Sequence, residues 1–151
     1  MAHRVNIHAT CVRLGRAGVL LLGRSGAGKS DLALRLIGRG AVLVSDDRCD
    51  LSVVRGALVA QAPKTIAGLL EVRGLGIVAV PHLRSARIAL VVDLSARAER
   101  LPEHRTYAPP SPLAPATRPT LISLNAFEAS APDKVIAALR HRGARAPVKR
   151  N

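Results

Sequence analysis

Eight consecutive residues carry the clearest chemistry in the chain. Gly23-Arg24-Ser25-Gly26-Ala27-Gly28-Lys29-Ser30 fits G-x-x-x-x-G-K-[ST] in full. The glycines let backbone N–H groups turn inward and meet phosphate oxygens with no Cβ in the way. Lys29 brings a positive charge to the β- and γ-phosphates, and the Ser30 hydroxyl can ligate magnesium. A helix following such a loop aims the positive end of its dipole at the same anion. The pattern predicts that residues 23–30 bind a nucleotide triphosphate. A second element is Asp46-Asp47, at the end of an apolar run. A carboxylate there can hold magnesium, directly or through water, or act as general base toward a hydroxyl. Adjacent strand residues point to opposite faces, so the two are expected to do different jobs.

The elements that must position these groups follow from the pattern around them. Residues 5–14 alternate loosely and read as a strand. After a turn at 15–18, residues 18–22 (GVLLL) read as a buried strand leading into the loop. Leu32, Ala33, Leu36 and Ile37 then recur at helical spacing, which predicts a helix from Lys29 to about Arg39, with Gly40 in the left-handed position that ends it. Residues 41–44 (AVLV) predict a second buried strand rising to Ser45-Asp46-Asp47, beside the loop. Residues 51–54 and 57–60 read as a hairpin around Arg55-Gly56. A short helix is expected at 64–70, a strand broken by two glycines at 71–80 (EVRGLGIVAV), and further strands at 87–94 and 120–124. Pro102, Pro109, Pro110, Pro112, Pro115 and Pro119 mark 102–119 as an extended, mobile loop. A last helix opens at Ser130-Ala131-Pro132-Asp133, with Ser130 as N-cap and Asp133 completing a capping box, and ends near Gly143. Residues 144–151 form a basic tail. The pattern is that of one α/β domain over 1–143: a phosphate-loop core with a mixed β-sheet flanked by helices.

Composition narrows the partners. With 151 residues, 48% hydrophobic and 22% charged, the chain is a globular single domain. Lys and Arg number 23 against 10 acids, a net charge of +13, which points to an acidic or phosphorylated partner. One Tyr, one Phe and no Trp leave few platforms for stacking bases. No zinc-finger, RRM or basic-zipper spacing is present, so nucleic acid is not expected. Half of the acids, Asp31, Asp46, Asp47, Asp50 and Glu71, lie within 31–71, a candidate magnesium site inside a basic background. No apolar run approaches the length of a membrane span, and the apolar stretch near the N-terminus is shorter than a signal peptide's. Two cysteines, Cys11 and Cys49, are too few for a disulfide scaffold or a zinc site. A cytoplasmic protein with buried free thiols, and no membrane partner, is expected.

Three ordered motifs then resemble one family. Ile7-His8-Ala9 with GRSGAGKSDLALRLI, LVSDDRCDL at 43–51 and EVRGLGI at 71–77 look like the catalytic domain of HPr kinase/phosphorylase. That family phosphorylates a serine on the phosphocarrier protein HPr of the phosphotransferase system, and many members also remove the phosphate by phosphorolysis. The resemblance covers residues 5–95 strongly and 118–142 moderately. It implies an HPr kinase / phosphoenolpyruvate-carboxykinase-like fold, ATP and Mg2+ as cofactors, and an HPr-type carrier as partner. It also implies inorganic phosphate and pyrophosphate in the reverse reaction, and a homo-oligomer, a hexamer. By motif position, Lys29 would hold the phosphates, and Ser30, Glu71 and Asp47 would bind the metal. Asp46 and Asp47 would supply the base that takes the serine proton and the acid that returns it in phosphorolysis, Arg73 would support the transferring phosphoryl group or the geometry of the signature, and His8 would stand close to the phosphates. The chain departs from the family in two places. It begins almost at the catalytic domain, as in the short form of some proteobacteria. The family's later P-V-x-x-G-R-N loop is replaced by RPTLISLNAFEASAPD at 118–133, where Arg118 is a candidate for the missing arginine. The residues alone leave two other readings open: a small-molecule or nucleotide kinase, and a non-catalytic module sensing ATP or phosphate.

Overall fold

A computed structural model describes residues 3–141. Ten strands and two helices follow in order: β1 (Val5–Leu14), β2 (Ala17–Leu22), α1 (Lys29–Ile37), β3 (Val42–Ser45), β4 (Arg48–Val54), β5 (Ala57–Gln61), β6 (Leu69–Val72), β7 (Gly76–Ala79), β8 (Ser85–Asp93), β9 (Arg105–Thr106), β10 (Thr120–Ser123) and α2 (Ala131–His141). The main sheet runs β2-β1-β4-β5-β8-β10-β9, with β3 also paired to β1. It is mixed, since β8 lies parallel to β2 and β10 and antiparallel to β5. β8 is long enough to do both: Ser85–Arg87 pair with β5, and Ile88–Asp93 pair with β2. The strand series β2-β1-β4-β5-β8 therefore returns on itself.

Alternation along the strands divides the core in two. Val12, Val19, Leu21, Leu90 and Val92 face α1 and α2, packing with Leu32, Leu36 and Val135. Their neighbours Cys11, Leu20 and Val91 turn to the other face and meet Cys49, Leu51 and Leu58. Both thiols are free and buried there. Among the described residues, no helix is long and apolar enough to cross a membrane.

Several local expectations change. α1 ends at Ile37; Gly38 is still right-handed, and the left-handed turn follows at Gly40. The helix expected at 64–70 is a single 3₁₀ turn, Lys64–Ile66. The strand expected at 71–80 is a hairpin. β6 pairs β7 from Leu69↔Ala79 to Val72↔Gly76, because Gly74 and Gly76 take φ of 91° and 98° and reverse the chain. In the proline-rich stretch, β9 pairs β10 and Leu113 is buried, features the prolines had masked. At α2 the Ser130 carbonyl accepts from the Lys134 N–H at 2.8 Å, and the Asp133 carboxylate is engaged by Arg39 at 3.2 Å. The expected end of that helix at Gly143 and the basic tail lie outside the described residues.

Candidate functional site

β2 delivers the chain to the glycine-rich loop, and the end of β8 holds that loop in place. Ser95 Oγ accepts from the Arg24 N–H at 2.9 Å, and Asp93 Oδ1 accepts from the Ser95 N–H at 2.9 Å. The loop closes on itself through Ala27 N–H to the Arg24 carbonyl, 2.9 Å. Gly28, at φ 95°, is the N-cap of α1. The dipole of α1 and its first N–H groups thus face the loop's concavity. Lys29 is 6% exposed. Its Nζ donates to the Gly23 carbonyl at 2.6 Å and the Arg24 carbonyl at 3.3 Å, which hold the ammonium over the loop.

Asp46 and Asp47 sit at a bend between β3 and β4. β3 pairs the second half of β1 (Cys11↔Ser45, Val12↔Leu43) and β4 pairs the first (Val5↔Leu51 to His8↔Arg48). The two are successive parts of one path along β1, in the same register from His8↔Arg48 to Cys11↔Ser45, and Asp46-Asp47 is the bend between them. Asp47 adopts φ 66°, a left-handed conformation that Asp tolerates better than most residues. The bend re-aims the side chains, and the two carboxylates separate. Asp46 is buried and accepts three hydrogen bonds. Its Oδ1 takes the Ser30 hydroxyl at 2.7 Å and the Thr10 hydroxyl at 2.9 Å, and its Oδ2 takes the Glu71 N–H at 3.0 Å. Asp47 has an exposed side chain, with His8 Nδ1 3.9 Å from its Oδ1, an ion pair when the imidazole is protonated. Thr10 links the pair, since its Oγ1 also accepts from the Asp47 N–H at 3.1 Å.

A cavity of about 310 Å³ opens between loop and hairpin. Ser25, Gly26, Gly28, Lys29 and Ser30 form one side, and Asp47, Glu71 and Arg73 another. Gly23, Arg24 and Ala27 belong to the loop without lining the cavity. Asp46 and His8 do not line it either, but contact the lining residues Ser30 and Asp47. β6 brings Glu71 to the cavity by burying its neighbours Leu70 and Val72 in the core. Sequence reasoning missed Thr10, whose role depends on the β1–β3 pairing. It also missed Phe127, which lines the cavity and could have been noticed as the chain's sole phenylalanine.

The neighbouring thiols are not reactive groups. Burial pushes Cys49 up from 9.0 to about 12, with a hydrogen bond to Ser45 opposing and the carboxylates of Asp46, Asp50 and Asp47 adding to the rise. Burial likewise raises Cys11.

Comparison with known proteins bears on the family and the fold. The family model described as HPr Serine kinase C-terminal domain matches residues 1–106. The HPr kinase/phosphorylase of Caldicellulosiruptor bescii is 41% identical over 120 residues, 71% of this chain and 39% of the relative. That of Clostridium tetani is 45% identical over 83 residues, 55% of this chain and 27% of the relative. The chain therefore spans two-fifths or less of the length of these relatives. In fold it resembles the Hpr(Ser) kinase/phosphatase from Coxiella burnetii, with a TM-score of 0.75 at 24% identity, covering 92% of this chain and 96% of that one. On the match over 1–106, this chain belongs to the HPr serine kinase C-terminal domain family.

Proposed function

We propose that the chain is an ATP-dependent protein-serine kinase whose substrate is an HPr-type phosphocarrier protein. The carrying observation is the split at the bend between β3 and β4. One carboxylate is spent on the Ser30 hydroxyl, while the next stands free at the cavity edge. That is the division between a group that organises the phosphate site and a base that meets an incoming hydroxyl. Lys29 and the loop N–H groups neutralise the γ-phosphoryl. Asp47 takes the proton of the acceptor serine as its Oγ attacks phosphorus and the bond to the β-phosphate oxygen breaks. His8 orients Asp47, and Arg73 steadies the transferring group.

Magnesium would arrive with the nucleotide. Among the described residues no cluster of three or more His, Cys, Asp or Glu is arranged to hold a cation alone. A serine hydroxyl with one or two carboxylates suits a cation shared with phosphates. Ser30 and Glu71 would hold it, Asp46 would orient Ser30, Asp47 would be kept for the proton, and the cation would offset charge on the phosphates. In the reverse direction, inorganic phosphate in the loop attacks phosphoserine. The P–Oγ bond breaks, protonated Asp47 returns the proton to Oγ, and pyrophosphate leaves. A cytoplasmic homo-oligomer, a hexamer, completes the proposal.

The test is transfer from γ-labelled ATP with magnesium to an HPr-type protein. The expected result is label on a serine, lost in Lys29→Ala and Asp46→Ala. Absence of transfer by the unaltered chain to any HPr-type carrier would overturn the reading. Release of pyrophosphate from phosphorylated carrier on adding phosphate tests the reverse reaction.

A further inference from the structure

We propose that Phe127 is the platform on which the base of the bound nucleotide stacks. This rests on the nucleotide-binding reading above and adds what that reading lacks, a group that recognises something other than phosphates. The chain has one Tyr, one Phe and no Trp. Tyr107 packs half-buried against the core, whereas Phe127 is 65% exposed. Its ring lies on the loop: a Cβ on Gly28 would fall 3.1 Å from its Cζ and 3.2 Å from its Cε1. A large apolar ring left in water beside an anion site gains most from a flat, apolar partner.

The direction of the ligand supports that partner being the base. Lys29 reaches the β- and γ-phosphates, and the loop N–H groups take the α- and β-phosphates. The ribose and base therefore leave past the start of α1. Phe127 stands on that side, because its turn is tied to α1. Arg35 donates to the carbonyls of Ala126 and, at 3.1 Å, Glu128, and it pairs with Asp31 at 3.0 Å. Leu34, half-exposed on α1, lines the same cavity. Asn125 Oδ1 accepts from the Phe127 N–H at 3.0 Å, so the ring's backbone is held before any ligand arrives. A fixed aromatic face stacks every base, since each offers a π-face. The platform thus adds affinity for nucleosides over bare phosphates, without choosing among purines.

The experiment measures binding of ATP, GTP and tripolyphosphate to the unaltered chain, Phe127→Ala and Phe127→Trp. Phe127→Ala is expected to weaken ATP and GTP by about 5- to 150-fold and to leave tripolyphosphate unchanged. Phe127→Trp is expected to keep ATP affinity. Its indole, the sole one in a chain without tryptophan, should be quenched by ATP and not by tripolyphosphate. ATP binding to Phe127→Ala as tight as to the unaltered chain overturns the platform and leaves the nucleotide site standing. So does equal loss of ATP and tripolyphosphate, which marks a structural role. An unaltered chain that binds tripolyphosphate no more weakly than ATP also overturns it. Binding of neither ligand to the unaltered chain overturns the nucleotide reading itself, and the platform with it.

Discussion

Loop 23–30 and the β6–β7 hairpin face each other across the cavity, and they are anchored differently. The loop wall is cross-tied by polar contacts: Thr10 to Asp46, buried; Ser30 to Asp46 and Lys29 to Gly23 and Arg24, part-buried; and Arg24 to Ser95, exposed. The hairpin is rooted by Leu70 and Val72 and by one bond, Glu71 N–H to Asp46. Beyond that root its chain stands clear, with Leu75 77% and Ile77 71% exposed. A wall preorganised by fixed donors suits an anion whose shape never varies. Asp46 is the joint between the two walls, since it holds Ser30 of one wall and the Glu71 backbone of the other.

The sharpest test of this contrast separates Asp47 from Asp46. On the proposed reading, Asp47→Asn removes the base while keeping the bend, so turnover on an HPr-type carrier should fall by about 10²- to 10⁴-fold with the melting temperature unchanged. Asp46→Asn should do something different. Its amide nitrogen would confront a donor, the Glu71 N–H or a hydroxyl, and leave it unpaired in a buried place. The expected cost is about 1–3 kcal/mol of stability, read as a fall of about 2–4 °C in Tm per kcal/mol. If Asp47→Asn unfolded the chain and Asp46→Asn did not, the assignment of the joint would be reversed.

The anchored wall should also show in alkaline unfolding. Cys49 is buried in β4, next to the Asp46-Asp47 bend, with its thiol pushed up to about 12, while an exposed thiol titrates near 9.0. Above pH 9 the unfolded chain loses this proton and the folded chain keeps it. The unfolded state then binds fewer protons, so stability falls as pH rises toward 12. The expected loss is about 1.4 kcal/mol per pH unit for this thiol, and Cys11, raised in the same sense, adds to it. Urea unfolding at pH 9 and pH 10 should show the slope, and Cys49→Ala should lessen it, leaving the part due to Cys11. An equal slope in that variant would place the titrating groups elsewhere.

The loop wall was legible in the sequence because everything that makes it is local. A glycine pattern, the apolar run before it and the 3.6-residue spacing after it lie within residues 18–37, and the structure has the strand and helix there. The projecting wall was misread. Gly74 and Gly76 looked like interruptions in one strand, since nothing local says whether a glycine breaks a strand or reverses it; the pairing of β6 with β7 decides that. Closure of the sheet through β8 was hidden for the same reason, as it depends on register between residues far apart in the chain. Strand alternation predicts different environments for Asp46 and Asp47, and they do differ, but through the left-handed bend at Asp47, outside any strand. That bend, which buries one and frees the other, needed β1 beside it.

The smallest expected effect bears on the hairpin tip. Arg73 and Leu75 are exposed and lie beyond the rooted part of β6. Their removal takes away no core contact and strands no buried donor. Arg73→Ala and Leu75→Asp should each leave the unfolding free energy within about 0.5 kcal/mol of the unaltered chain. For Leu75→Asp the change is large in chemistry and small in stability, because a side chain 77% exposed already meets water in the folded state and loses little by becoming polar. Chemical denaturation of both variants at neutral pH checks this. A loss of 2 kcal/mol or more in either (read as roughly a 30-fold shift in the folding equilibrium) would mean that the tip is anchored like the loop, and the distinction between the two walls would collapse.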